Sequence, residues 1–228
     1  MTARYQPAGG EAALGLTSSD GVALQQVAAT CETVQEIINI AATAEAFAVT
    51  ALGGALENAA GGKLALNADH ILHLKAARAE EQAHYAFLTG AGAKPLTTTF
   101  TVPDARIVTD VPTFLTTVIA LEEAFIAAYL AAAQEFAILG QPDLARIAVQ
   151  IGGVEAEHRA ALRFFAIEAG VLKEAVPNNL AFEKGLFSSV GEAAAALQQL
   201  GFIGGSGAQI TYPGPGAIDN TGVTQLKP

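Results

Sequence analysis

The sequence predicts an all-α protein, a four-helix bundle with one long crossover between its second and third helices, followed by a short helix and an irregular tail. Three observations predict it. Four long segments repeat apolar residues at alternating steps of three and four, as a helix with one buried face does. Capping residues, prolines and glycines bracket those segments where helices start and stop. The stretch AGAKPLTTTFTVPDARIVTD between the second and third, with two prolines and many β-branched residues, is too extended to be helix.

The first helix is expected from about Asp20, its cap, to about Ala59, with the stripe Cys31, Val34, Ile38, Ala41, Glu45, Ala48, Leu52, Ala55. The second runs from Ala68 behind an Asn67 cap to Thr89, with Gly90 as stop and the stripe His70, Leu74, Ala77, Glu81, His84, Leu88. The third starts after Asp110 with Pro112 in its first turn and ends before Gly140. Its seam is Leu115, Val118, Glu122, Phe125, Tyr129, Ala132, Phe136, Leu139. The fourth lies between Pro142 and Gly170, with Leu144, Ala148, Ile151, Glu155, His158, Leu162, Phe165 on its seam.

The crossover is long enough to traverse a bundle, so the second and third helices should run parallel. From these limits the chain divides into an N-terminal segment at 1–19, the bundle at 20–170 and a C-terminal extension at 171–228. The extension holds a short helix in SVGEAAAALQQLGF and a Gly/Pro-rich tail that is either flexible or docked on a surface. The third helix is apolar almost all round. The crossover, the tail or a second subunit must cover it, which favours a homo-oligomer.

Composition narrows the function. With 15% charged residues, 51% hydrophobic residues and a net charge of -10, neither a disordered chain nor a nucleic-acid binder is expected, because phosphate backbones would be repelled. The most apolar stretch, 111–134, is interrupted by Glu122 and Glu123, so no membrane association is expected. No apolar signal follows Arg4, which makes the cytoplasm the expected location. The single Cys31 rules out an intrachain disulfide and a thiolate site, so any metal must be held by nitrogen and oxygen.

The chemistry-bearing pattern is a pair of Glu-x-x-His motifs, Glu81/His84 in AEEQAHYAF and Glu155/His158 in GVEAEHRAA. Side chains three apart on a helix differ by about 60° and about 4.5 Å of rise, so both can reach one ion. One such pair is common in helices. Here every helix carries a carboxylate on its inner seam, and buried carboxylates cost several kcal/mol each unless neutralised. No Lys or Arg lies on those stripes, whereas two divalent cations would neutralise them. Heights agree as well, since Glu45 and Glu81 lie at similar distances from the turn between their helices, as do Glu122 and Glu155. The likeness of TAEAFAVTAL to LEEAFIAAYL would instead align Glu45 with Glu123. Glu122 shares the apolar seam and is preferred, with Glu123 as the alternative. Glu80 is expected to face solvent. Gly152 and Gly153 suggest close helix approach or a π-bulge, and His73 a place on an access path.

The order Glu, Glu-x-x-His, Glu, Glu-x-x-His resembles the ferritin-like superfamily of di-iron and di-manganese carboxylate proteins. Within it, NIAATAEAFAVTAL, ALEEAFIAAYLAAAQEFA and VPNNLAFE resemble bacterial ferritin-like domain proteins related to plant desiccation-related proteins. The resemblance implies two Fe or Mn ions, with Glu45 and Glu122 as terminal ligands, Glu81 and Glu155 as bridges, and one of His84 and His158 on each ion. It implies redox chemistry with dioxygen, peroxide or ferrous iron, as a ferroxidase, a peroxidase or a manganese-catalase-like enzyme. Leu52 stands where ferritins and rubrerythrins usually place a Tyr, and no Cys-rich electron-supply module is present. The competing expectation is a non-enzymatic, self-assembling stress-protective protein on the same scaffold.

Overall fold

The computed structural model describes residues 31–228, so the expected Asp20 cap and the segment 1–19 lie outside the described residues. Helix α1 spans Val34–Ala60, α2 Ala68–Gly90, α3 Val111–Ile138 and α4 Pro142–Glu168. A short α5 covers Val190–Gln199. Strands β1 (Thr99–Val102) and β2 (Ala208–Thr211) form one antiparallel pair, with Phe100 opposite Ile210.

Local chemistry sets the helix limits. Asn67 and Asp110 cap α2 and α3 by accepting from the backbone N–H groups of His70 and Thr113. Gly140, at φ +70°, makes the tight turn between α3 and α4. The start of α1 differs from expectation, because residues 31–33 are not helical and Cys31 therefore belongs to no helix stripe. The cause is a capping box: the Thr33 side chain accepts from the Glu36 N–H, and the Glu36 carboxylate accepts from the Thr33 N–H.

The four long helices pair tightly as α1 with α2 and α3 with α4. Their relative directions follow from two core clusters. One joins Ile37, Ile38 and Ala42 near the start of α1 and Ala148 and Ile151 near the start of α4 to Leu88 and Phe136 near the ends of α2 and α3. The other joins the opposite ends, Leu52 and Ala55, Leu74, Phe114 and Leu115, and Leu162 and Phe165. Hence α2 and α3 are parallel, as the crossover requires.

A third cluster covers α1 and α3 from outside. Phe47 packs against Phe100 of the crossover at 5.4 Å, Phe202 of the extension at 5.1 Å and Phe125 at 6.4 Å between ring centres. The crossover and extension thus cover the apolar outer face of α3, and the tail is docked through β2. Residues 171–189 are tied over α4 by Arg159 donating to Glu183 and Arg163 donating to Pro177 O and Asn179. These arginines are buried on α4 but pair with the extension rather than with the inner carboxylates. By length and hydropathy α1 and α3 match membrane spans, yet 67% and 56% of their most apolar windows are buried within the protein.

Candidate metal centre

Between the two core clusters the four helices bring together Glu45 from α1, Glu81 and His84 from α2, Glu122 from α3, and Glu155 and His158 from α4. All are buried or nearly so, with Glu81 and Glu155 at 0% exposure. They fall into two overlapping groups, Glu45, Glu81, His84, Glu155 and Glu81, Glu122, Glu155, His158, each offering ligand atoms within 4.8 Å of one another.

Both imidazoles turn Nδ1 inward. His84 Nδ1 stands 3.4 Å from Glu45 Oε2, 3.7 Å from Glu81 Oε2 and 3.5 Å from Glu155 Oε1. His158 Nδ1 stands 3.2 Å from Glu81 Oε1 and 3.3 Å from Glu155 Oε2. Glu81 and Glu155 therefore each present one oxygen to each imidazole. Two atoms each about 2.1 Å from one ion stand about 3.0–3.4 Å apart in octahedral or tetrahedral geometry, close to these separations.

Buried polar groups are normally hydrogen-bonded. Here Glu45 Oε2, both oxygens of Glu81 and of Glu155, Glu122 Oε2 and the Nδ1 atoms of His84 and His158 are buried without a hydrogen-bond partner. Burial raises the carboxyls of Glu45 and Glu122 well above the usual range. Burial disfavours charge on His84 and His158 as well, but the surrounding carboxylates outweigh it and raise both imidazoles. Four carboxylates match the charge of two divalent cations. The donor set, its orphaned atoms and its charge all fit such a pair.

Further contacts hold the set. Tyr129, seven residues after Glu122 on α3, donates its phenol proton to Glu45 Oε1. The place where Leu52 stands on α1 is apolar core, so the phenol against Glu45 comes from α3. Gly152 makes room for this residue: a Cβ there would lie 3.3 Å from Tyr129 Cβ, whereas Gly153 has open space and α4 contains no π-bulge. Glu80 corrects an expectation. Rather than facing solvent, it lies half-buried with Oε2 2.8 Å from His158 Nε2, which fixes that ring and its tautomer. Its place beside Glu81 was visible in sequence, but its reach across to α4 was not. Glu123 instead points outward to Lys184 at 2.8 Å.

His70 stacks on Phe165 at 4.1 Å between ring centres, away from the cluster. His73, Glu122 and His158 line a common cavity of about 230 Å³ that reaches the cluster from one side.

Such a bundle with such a buried cluster of carboxylates and imidazoles fits a possible dinuclear metal site. The family model described as a ferritin-like domain matches residues 33–168, and the chain belongs to that family. Comparison with curated proteins and with solved structures found no match.

Proposed function

We propose that the cluster holds two divalent iron or manganese ions and that the protein carries out redox chemistry with dioxygen, peroxide or ferrous iron. Glu45 and His84 would complete one position, Glu122 and His158 the other, and Glu81 and Glu155 would be shared. The observation that carries this reading is the set of eight buried ligand-type atoms without partners, converging from four helices. When bound, iron or manganese would supply one-electron steps that no side chain here provides. The chain's own part is to hold the carboxylates and imidazoles in a buried frame, with Tyr129 fixing Glu45 and Glu80 fixing His158. The two metals are not distinguished by this shell, since both accept mixed carboxylate and imidazole ligands.

Elemental analysis of protein from its native host should find about two ions per chain. The double variant Glu81→Ala with His84→Ala should lose both. Stoichiometric metal in that variant would sink the assignment. Oxygen evolution from peroxide would select the manganese-catalase-like form, and oxidation of added ferrous ion the ferroxidase form.

A stress-protective, self-assembling role is a second reading, favoured by exposed apolar side chains such as Phe182 at 89% and Phe164 at 47%. It predicts a homo-oligomer whose sedimentation changes on Phe182→Ser; a monomer in both proteins would count against it.

A further inference from the structure

The two imidazoles of the cluster differ on their outer sides. His158 presents Nε2 to Glu80. The His84 side chain is 12% exposed, and among the described residues no hydrogen bond reaches its Nε2. His84 lines a half-open chamber of about 360 Å³ bordered by α2, α4 and residues 223–228 of the tail. A water molecule occupies about 30 Å³, so the chamber is far larger than dioxygen or peroxide requires and falls within the range of organic-ligand sites.

Its lining sets the chemistry. Phe87, Ile147, Ile151 and Val154 form an apolar wall, and Leu226 adds to it from the tail. The charged groups on the lining are Glu80, Glu157 and the exposed Lys227. With Nδ1 committed to the cluster, a neutral imidazole carries its proton on Nε2 and is a donor without an acceptor. An anionic acceptor would face Glu80 and Glu157, and a cation cannot accept the proton at all.

We propose that this chamber binds a small, electrically neutral organic molecule whose apolar body lies along α2 and α4 and whose hydroxyl or carbonyl oxygen accepts from His84 Nε2. The position of that proton rests on the metal reading above, because the ion would occupy Nδ1. Residues 223–228 are one wall of the site.

The test uses full-length protein loaded with zinc as a diamagnetic stand-in, titrated with 1-hexanol, hexanoate and hexylammonium. Calorimetry and imidazole ¹⁵N resonances are read together. Saturable binding of 1-hexanol is expected, with Kd about 1 mM or tighter. The His84 Nε2 resonance should move while that of His158 stays, hexanoate should bind at least about tenfold more weakly, and hexylammonium, which cannot accept from Nε2, should not reproduce the 1-hexanol shift. Ala83→Phe, which fills the chamber from α2, and a chain ending at Gly222 should each weaken 1-hexanol by about tenfold or more. Non-saturable binding, equal binding of hexanoate, the same His84 Nε2 shift with hexylammonium, or indifference to both variants would overturn the proposal. Metal content is measured on the same samples. Protein that binds 1-hexanol but no metal refutes the metal reading and the proton position, whereas metal-loaded protein that ignores 1-hexanol refutes the chamber alone.

Discussion

Glu122 and Glu123 are adjacent on α3, yet one is 3% exposed in the cluster and the other reaches the surface Lys184. A helix turns 100° per residue, so neighbours cannot share a face. Glu123→Gln should leave metal content unchanged and cost about 0–1 kcal/mol, since it removes only a surface ion pair. Glu122→Gln should reduce bound metal, read by elemental analysis. Equal metal contents in the two variants would exchange their roles. Tyr129→Phe leaves Glu45 Oε1 without its donor and should cost about 1–3 kcal/mol in chemical denaturation. No change would mean that Glu45 has another donor.

At the scale of elements, the attachment of α5 shows a second pair of acids. Glu135, near the end of α3, accepts from Val190 N–H at 3.0 Å and Glu32 N–H at 3.2 Å. Glu32 accepts from Gly191 N–H and Ser189 Oγ, both at 3.0 Å. Two carboxyls thus cap one helix start, and a Cβ at 191 would collide with Glu32. Burial and then the neighbouring Glu32 push Glu135 up to about 7. Burial alone would raise Glu32 as well, but its bonds to Glu135, Ser189 and Gly191 hold it below the usual range. The signs differ accordingly. Glu32 adds stability that is present above its unfolded value and lost as pH falls. The Glu135 contribution is full below its unfolded value, about 4.3, and is lost as pH rises to about 7. Between about pH 5 and 7 only Glu135 changes, so the pair should weaken by on the order of 1–3 kcal/mol. Unfolding titrations should show this slope in the native protein relative to Glu135→Gln, which cannot ionise. Parallel slopes would refute it.

For the whole molecule, the extension is part of the packed structure. Tyr212 donates to Gln82 at 2.6 Å and packs on Tyr85 at 4.7 Å between ring centres, while β2 covers the edge of β1. Deleting residues 206–228 removes these contacts and should lower stability by about 2–4 kcal/mol, with helicity and metal content retained. Calorimetry, circular dichroism and elemental analysis on one preparation would check this. Loss of metal on deletion would show that the tail supports the bundle's inner geometry.

The helices and the inward set were legible in the sequence because both depend on local rules. Asn67, Asp110, Pro112 and Gly140 mark helix limits by backbone chemistry, and the 3.6-residue period puts Glu45, Glu81, Glu122 and Glu155 on apolar seams. Long helices of similar length then align those seams at one height. What the period cannot carry is contact between distant segments. The pairing of Thr99 with Thr211 joins two four-residue strands, each too short for a recognisable alternation. The reach of Glu80 to His158, the phenol of Tyr129 on Glu45 and the twin acids at α5 likewise depend on which helix lies opposite. Sequence by itself determined which seam residues point inward, because helical geometry is local. Only the tertiary structure decided what they meet, because that depends on how whole helices pack.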